Sequence, residues 1–340
     1  MEPYAVSNLV VALLVAGALY TARAVRRSGY WSQALRELAR RRPIALAAIA
    51  FFVALGLADS VSWIDGAGGV TGVAAHTPRS LVDRAFPADF QERSYSAPFA
   101  FEEFYGGAGL RHPGQHWLGT DILGRDVLHQ ALSGARIALL LGGLTSLIVI
   151  PLALLFGMSA GYFGGRIDDA VFFVISTLSS IPTLLLLIAL IMVIGRGTVQ
   201  VCFAMGVTGW VSFARVIRGE TLKLRELDYV AAARALGASD ARILVRHVLP
   251  NVMHLVVITF VLLFSGMVLT EAILAFLGIG LDGSWGQMID QARDELAREP
   301  IIYWNLASAS AALFALILSV NLVGDTIRDI LDPRTVRENV

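Results

Sequence analysis

Long uninterrupted blocks of apolar residues dominate the hydrophobic pattern of this 340-residue chain. A block of about 18 residues with few charges is long enough to cross the hydrocarbon core of a bilayer as a helix. The predicted fold is therefore an all-α polytopic membrane protein. The seven predicted membrane spans are Ala5–Ala22, Pro43–Ala58, Ile137–Ala160, Ala170–Gly195, Thr198–Ala214, Val252–Ile279 and Ile301–Gly324.

Composition agrees with this prediction and helps to interpret the first block. Hydrophobic residues make up 56% of the chain and charged residues only 16%, whereas soluble domains carry about 25% charged residues. Glu2 precedes the first block and arginines follow it, which reverses the charge order of a secretory signal peptide. We therefore predict an extra N-terminal transmembrane helix. A helix lying in the membrane interface is the alternative, although the block lacks a polar face.

Basic and acidic residues are concentrated in different connecting segments. Residues 23–42 carry seven arginines against one glutamate, and residues 215–246 carry seven basic against four acidic residues. Residues 59–111 carry seven acidic against four basic residues. Basic residues near span ends mark the cytoplasmic side. The predicted cytoplasmic segments are therefore 23–42, 161–169, 215–251 and the tail after residue 324, and the predicted outside segments are 59–136, 195–197 and 281–300.

The spans and loops divide the chain into four predicted regions. The cytoplasmic loop 215–251 interrupts the third of them. The regions are an extra N-terminal helix with its basic linker (1–42), a second transmembrane helix with a long outside segment (43–136), a five-helix transmembrane core (137–324) and a cytoplasmic tail (325–340).

Within the cytoplasmic loop, a helix–glycine–helix pattern predicts a bent segment on the inner membrane face. Apolar residues recur at i, i+3, i+4 and i+7 from Tyr229, which is typical of one face of an amphipathic helix; they are Tyr229, Ala232, Ala233 and Leu236. Gly237 follows, a residue type that ends helices in the left-handed conformation.

A second helix is expected after the glycine. Ser239 and Asp240 fit its cap and first-turn acid, and it is expected to stop before Pro250. We call residues 228–251 the elbow. An ordinary structured loop would fit the same pattern equally well.

The elbow resembles the EAA motif of ABC importer permeases, in which Glu-Ala-Ala is followed by three residues, Gly, nine residues and Ile-x-Leu-Pro. The residues that match are Ala232, Ala233, Gly237, Leu249 and Pro250. Ala231 stands in place of the motif glutamate and His247 in place of its isoleucine. The ending His247–Asn251 is similar to the dipeptide and oligopeptide branch of the family.

Other segments resemble the same branch, in order and with matching spacing from His116 to Arg334. They are His116–Leu128 with Ser133–Leu139, Ser176–Leu187, Glu271–Gly280 with Ser284–Gly286, and Gly324–Arg334. The resemblance implies a five-helix permease core preceded by the family's first helix, here 43–58, so that the helix in 1–42 is additional.

In this family the elbow is the coupling segment, which docks on a cytoplasmic ATPase subunit and switches the permease between outward-open and inward-open states. The resemblance therefore implies a second related permease, two ATPase subunits and an extracytoplasmic binding protein as partners. It implies location in the inner membrane with a cytoplasmic C-terminus, and import of peptides, with nickel chelates or other small solutes as the alternative. The residues that carry the coupling role by resemblance are Asp228, Tyr229, Ala231, Ala232, Ala233, Gly237, Leu249 and Pro250.

The chain is not expected to be an ATPase or another enzyme. A phosphate-binding Walker loop needs Gly-Lys-Ser/Thr, and the single lysine, Lys223, follows Leu222. The energy for transport must then come from partner subunits. A self-sufficient secondary transporter or channel is the rival hypothesis, and it predicts paired ionisable residues within several spans, where Glu271 is almost alone.

Four positions are candidates for the translocation path. A carboxylate inside a span, such as Glu271, usually faces a cavity or a partner, and a structural role at the outer end of its span is the alternative. Pro182 removes one backbone hydrogen bond and is expected to kink its helix. Ser179 and Ser180 beside it can bond the freed groups or line a polar path, and helix packing is the alternative.

The remaining polar and glycine motifs have structural interpretations. Gly157, Gly161 and Gly165 are spaced for close helix packing. Pro113 and Gly114 separate His112 from His116, so neither a metal site nor a cofactor is expected. The basic residues 23–42 are a topology signal, with anionic lipid contact as the alternative and nucleic acid not expected. Residues expected to cap and fix the helix entering the core are Thr120, Asp121, Arg125 and Asp126.

Overall fold

The structure is a computed structural model that describes residues 29–64, 78–87 and 89–331, together with Asn8, Val11, Ala12, Ala16 and Arg23. Apart from these single positions, the predicted first span Ala5–Ala22 lies outside the described residues. The cytoplasmic tail predicted for 325–340 lies outside them beyond residue 331.

Helices account for most of the described chain. The remaining elements are an antiparallel ribbon of β1 (Ser62–Trp63) and β2 (Arg79–Ser80), a short 3₁₀ turn at Asp83–Ala85 and a π turn at Leu244–Val248. The helices of the described residues are α1 (Gly29–Arg41), α2 (Pro43–Ser60), α3 (Val127–Phe163), α4 (Gly165–Ser179), α5 (Thr183–Ile194), α6 (Thr198–Arg225), α7 (Asp228–Ala235), α8 (Asp240–Ile243), α9 (Leu249–Phe276), α10 (Trp285–Leu296) and α11 (Trp304–Leu331).

Five predicted spans coincide with helices long and apolar enough to cross a membrane: α2, α3, α6, the run from α8 to α9, and α11. The predicted span Ala170–Gly195 is formed by two helices, α4 and α5, which are bent by 88° at a short break, as in a broken span or a re-entrant loop. Proline lacks the backbone N–H for an interior helical bond and disfavours helical geometry in the residue before it. Pro182 therefore ends one helix and starts the next, instead of bending one.

Several helices extend beyond the apolar blocks that predict them. Helix α6 continues from the apolar segment through Arg225, and α3 begins ten residues before Ile137. Hydrophobicity locates the part of a helix that fits hydrocarbon, whereas the helix itself persists until a cap or a breaker ends it. Helix α11 instead begins three residues later than predicted, at Trp304, whose indole Nε1 donates to the Thr120 carbonyl at 2.9 Å.

The chain forms two compact units. The first consists of Met1–Leu139 and Thr270–Ile330, and the second of Leu140–Leu269 and Leu331–Val340. Because α3 and α9 are long, each contributes residues to both units.

In the first unit, a buried histidine organises the segment that leads into α3. His116 is fully buried; its Nδ1 lies 2.9 Å from Asp126 Oδ2 and its Nε2 lies 3.3 Å from Glu92 Oε1. The imidazole also stacks on Phe90, with ring centroids 4.2 Å apart. Burial of charged groups is tolerated when each has a partner, and this arrangement supplies one for each of the three side chains.

Of the residues expected to cap and fix the helix entering the core, Asp126 caps α3, and Thr120, Asp121 and Arg125 fix the segment before it. Asp126 Oδ1 accepts the His129 backbone N–H at 2.8 Å, in the first turn of α3. The carboxylate of Asp121 accepts the backbone N–H groups of Leu123 and Arg125 and the Arg125 Nε–H, at 2.8–2.9 Å. The Thr120 hydroxyl donates to the Ser94 carbonyl at 2.8 Å.

In the second unit, α3 and α6 approach closely at two glycines. A Cβ atom on Gly157 would lie 2.7 Å from the Ala214 carbonyl oxygen, and one on Gly161 would lie 2.7 Å from the Arg218 carbonyl oxygen. The predicted packing role of these two glycines is confirmed. Gly165 does not share it: it begins α4 with a φ of +50°, directly after α3 ends.

A buried carboxyl in the first unit predicts a pH dependence of stability. Glu295 is 1% exposed, and burial raises the pKa of its carboxyl above the ordinary 4.5, opposed by the hydrogen bond that Asn305 Nδ2 donates at 3.3 Å. In the unfolded chain this carboxyl loses its proton more readily. Its contribution to stability is therefore complete below about pH 4.5 and is lost as pH rises through the folded-state pKa.

Glu295→Gln should therefore raise the thermal midpoint of the purified protein at pH 7.5, with about 2–4 °C for each 1 kcal/mol gained. The gain should shrink towards pH 4.5. Exposed Glu299 lies four residues further on, after the end of α10, and Glu299→Gln is the control that should leave the midpoint unchanged. Equal midpoints for wild type and Glu295→Gln at both pH values would show that the carboxyl is not destabilised by burial.

Candidate functional site

The predicted helix–glycine–helix elbow is present, and its bend is a hydrogen-bonded helix end. Helix α7 ends at Ala235, and Gly237 follows with a φ of +80°. The Gly237 N–H donates to the Arg234 carbonyl at 3.0 Å, and the Ala238 N–H donates to the Ala233 carbonyl at 3.1 Å. This pair of bonds is the Schellman motif, so the left-handed conformation predicted for Gly237 is confirmed.

The residues of α7 that pack inward overlap only in part with the apolar face predicted from the spacing. Val230 is fully buried and packs in a core with Ile243 and Val248, and Ala233 is partly buried against the same core. Tyr229 and Leu236 are instead 41% and 88% exposed. Sequence spacing put Tyr229, Ala232, Ala233 and Leu236 on one face. The structure shows that the position of α7 against α8 and the π turn decides which of the apolar residues are covered.

The second arm of the elbow is longer than predicted. Helix α8 is one turn, and it continues through the π turn into α9 as a single helical run from Asp240 to Phe276. The prediction that this helix stops before Pro250 is therefore wrong. In the π turn the Leu249 N–H bonds to the Leu244 carbonyl, five residues back. This wider turn accommodates a proline that has no N–H to give and would otherwise collide with the preceding turn.

Ser239 occupies the cap position of α8 with an extended backbone, as predicted, but its hydroxyl makes no capping hydrogen bond. Asp240 is the acidic residue in the first turn of α8, as predicted, and its side chain has a further partner. Its Oδ1 accepts a hydrogen bond from the Tyr162 hydroxyl at 2.7 Å, and Arg234 Nη2 donates to the same hydroxyl oxygen at 3.2 Å.

Sequence reasoning missed Tyr162. It lies in the last turn of α3, 72 residues before Arg234 and 78 before Asp240. The sequence signal is a hydroxyl-bearing aromatic residue at the end of a long apolar block, followed after Phe163 by two glycines. Such a residue indicates a helix end whose hydroxyl can bond to a neighbouring loop. The partner loop is known only from the fold.

The helix break holds three of the four candidates for the translocation path. The Ser180 hydroxyl donates to the Thr177 carbonyl at 2.7 Å, and the Ser179 hydroxyl donates to the Ile175 carbonyl at 2.8 Å. These bonds add hydroxyl donors to carbonyls near the end of α4, and neither reaches the Leu178 carbonyl, four residues before Pro182. Arg215 Nη2 also donates to the Ser179 hydroxyl at 2.6 Å. A contribution of these residues to a polar path stays a prediction.

Glu271, the fourth candidate, belongs to the first unit and lies near the end of α9. Its side chain is 4% exposed, and Oε1 accepts the Leu281 backbone N–H at 3.3 Å. This bond fixes the turn between α9 and α10. Its role in a path also stays a prediction.

Residues 153–337, which include the elbow, match the model of the family described as "Binding-protein-dependent transport system inner membrane component". The chain belongs to this family. It is therefore a multi-pass permease component of a binding-protein-dependent transport system, and this agrees with the resemblance found in the elbow.

Curated relatives of this permease are transport permeases too. It is 35% identical over 222 residues to the oligopeptide transport system permease protein OppC of Bacillus subtilis, covering 64% of this chain and 72% of the relative. It is 36% identical to the glutathione transport system permease protein GsiD of Pectobacterium atrosepticum, covering 64% and 73%. The nickel transport system permease protein NikC of Escherichia coli is 35% identical, covering 66% and 81%.

The Schellman turn at Gly237 should protect the Ala238 amide of the permease elbow from hydrogen exchange. An added Cβ at Gly237 meets nothing within 4 Å, so Gly237→Ala carries only the backbone cost of the left-handed conformation, about 1–2 kcal/mol. Hydrogen exchange at the Ala238 amide should therefore accelerate about 5- to 30-fold.

Gly219→Ala is the matched control. Gly219 lies inside α6 and also has open space at its Cβ position, so alanine there should leave exchange at the elbow unchanged. Unchanged exchange in Gly237→Ala would contradict the assignment of the turn.

Proposed function

We propose that this permease is part of an ATP-driven importer and that its elbow docks on a cytoplasmic ATPase subunit. The single observation that supports this most is the exposure of Tyr229 and Leu236 on a segment that is otherwise held firmly. The Schellman turn fixes the bend, and Val230 anchors α7 in the core. The elbow thus presents apolar side chains in a defined geometry.

Exposed apolar groups on this segment favour a protein partner over lipid. Full burial of a leucine or similar side chain is worth about 1.5–3 kcal/mol, so a surface that covers Leu236 gains free energy. Asp228, Arg234 and Arg242 are exposed on the same segment. Charged side chains in contact with hydrocarbon are costly, whereas a protein groove can accept both kinds of residue.

The remaining partners follow from the same proposal. Two ATPase subunits, a second related permease and an extracytoplasmic binding protein complete the importer, and closure of the ATPases drives alternating access. The residues proposed for coupling are Asp228, Tyr229, Ala231, Ala232, Ala233, Gly237, Leu249 and Pro250. Ala231 is exposed, so an alanine at the motif's glutamate position leaves the backbone available for docking without a carboxylate contact.

The substrate class proposed is peptides. OppC of Bacillus subtilis is a permease of an oligopeptide transport system and GsiD one of a glutathione transport system; glutathione is itself a small peptide. NikC belongs to a nickel transport system at similar identity, so a nickel chelate or another small solute is the alternative substrate. Ser179, Ser180, Pro182 and Glu271 are the proposed positions to test along the path.

Leu236→Glu should abolish co-purification of the ATPase subunits while the permease still folds. The carboxylate would have to lose its hydration when the groove closes over it, a cost of several kcal/mol. Pull-down of the tagged permease from membranes, with ATPase quantified against permease, measures this. Ala233 is a poorer position for the test, because its side chain packs in the core and a charge there would disturb the fold.

Leu123→Glu is the matched control, since Leu123 is 54% exposed in a segment predicted to lie outside. Its pull-down should match the wild type. Retention of the ATPases by Leu236→Glu at the wild-type ratio would overturn docking through this surface.

The predicted orientation gives a separate test by cysteine labelling. Cys202 is the single cysteine and is 1% exposed, so Cys202→Ala provides a clean background. In intact cells an impermeant maleimide should label Phe101→Cys, a position that is 71% exposed. It should label a cysteine appended after Val340 only once the membrane is permeabilised. The reverse pattern would invert the proposed topology.

A further inference from the structure

The Tyr162 hydroxyl joins the two arms of the elbow to the end of α3. Its hydrogen-bond acceptor, Asp240, lies on α8 and its donor, Arg234, lies on α7, so the partners flank Gly237 on both sides. The Tyr162 side chain is largely buried, with 5% of the residue exposed. One atom of α3 therefore contacts both arms of the bend.

The Tyr162 hydroxyl acts both as a hydrogen-bond donor and as an acceptor in this contact. A phenol has one proton to donate and an oxygen that accepts, and here the proton goes to a carboxylate while a guanidinium donates to the oxygen. Hydrogen bonds to charged partners are stronger than those between neutral groups. The Arg234 guanidinium also lies 5.5 Å from the centroid of the Tyr162 ring, a contact that a phenylalanine would preserve.

The last turn of α3 is also hydrogen-bonded to α6. Displacement of the elbow could therefore be passed through contacts from α3 to α6. Arg225 Nη1 donates to the Gly161 carbonyl at 3.1 Å, beside the glycine contact between α3 and α6. Arg218 on α6 holds Asp168 on α4 through two hydrogen bonds of 2.5 and 2.6 Å. These bonds restrain the helix ends that Tyr162 connects to the elbow.

The elbow does not depend on this hydroxyl for its own shape. Its bend is held by the Gly237 and Ala238 backbone bonds, and its packing by Val230, Ile243 and Val248. Removal of the hydroxyl should therefore leave both the docking surface and the fold in place. What it removes is the polar link between elbow and α3.

We propose that Tyr162 is a positioning residue that transmits displacement of the elbow to α3. This inference rests on the proposed docking of an ATPase on the elbow. When the ATPase moves the elbow, Arg234 and Asp240 move with it, and their bonds to the Tyr162 hydroxyl carry the last turn of α3 along.

Hydrogen exchange in the complete complex, purified with its ATPase subunits, tests this without knowledge of the substrate. Exchange is compared without nucleotide and with ATP plus vanadate, in peptides that cover the elbow (236–244) and the last turn of α3 (158–164). In the wild type, nucleotide should change exchange in both peptides by at least about fivefold, the lower end of typical coupling between sites. In Tyr162→Phe the change should persist in the elbow and fall to less than twofold in α3.

Two further variants separate transmission from a general structural effect. Asp240→Asn keeps an oxygen that accepts the phenol proton and should restore at least half of the response in α3, whereas Asp240→Ala should behave like Tyr162→Phe. Tyr105 donates its hydroxyl to the Pro300 carbonyl at 3.3 Å in the first unit, so Tyr105→Phe is the matched loss of a phenol and should respond like the wild type.

The outcomes distinguish this inference from the proposal on which it rests. A full α3 response in Tyr162→Phe, or loss of its ATPase subunits, would overturn the role of Tyr162 in transmission. A wild-type complex whose elbow shows no response to nucleotide would instead overturn the docking proposal.

Discussion

A helix that ends leaves its last carbonyls without partners inside the helix, and within hydrocarbon only internal groups can bond them. At the break between α4 and α5, serine hydroxyls bond the last carbonyls of α4, and Pro182 has no N–H to satisfy. At the elbow, the Schellman turn returns two N–H groups to carbonyls of α7. At both sites where the backbone departs from regular helix, local hydrogen bonds therefore hold the chain.

In the second unit, close contact between α3 and α6 sets the position of the end of α3. Gly157 and Gly161 let α3 approach the backbone of α6, and this contact places the last turn of α3 beside the elbow. Tyr162 and Arg225 then add polar bonds where the apolar packing stops. Packing thus sets the positions, and a few charge-assisted hydrogen bonds join the helix ends.

Much of this arrangement could be predicted from the sequence, because hydrophobic blocks and special backbone residues act locally. The apolar blocks locate five membrane helices, and Gly237 is correctly predicted to be left-handed because few other residue types adopt that conformation readily. The cap made by Asp126 and the turn fixed by Asp121 were predictable because each carboxylate bonds backbone N–H groups two to four residues ahead of it. Each depends on groups within about ten residues along the chain.

Other features depend on contacts between distant segments and were missed or misjudged. Spacing alone placed Tyr229 and Leu236 on one apolar face with Ala233, but Val230 fills the core next to α7, and Tyr229 and Leu236 are exposed. The helix that begins at Asp240 does not stop before Pro250, because the π turn changes the local hydrogen-bond pattern. No single residue in the sequence predicts a π turn. The link from Tyr162 to Arg234 and Asp240 joins residues more than 70 positions apart, and no periodic pattern contains it.

The central claim is that the exposed elbow contacts an ATPase subunit, and photocrosslinking from position 236 tests it most directly. A photoreactive amino acid in place of Leu236 would be activated in native membranes, and the crosslinked partner would be identified by mass spectrometry. We expect one main product that contains an ATP-binding subunit, with a yield that changes between nucleotide-free and ATP-plus-vanadate conditions. Products with lipid alone, or with no nucleotide-binding protein, would contradict the account.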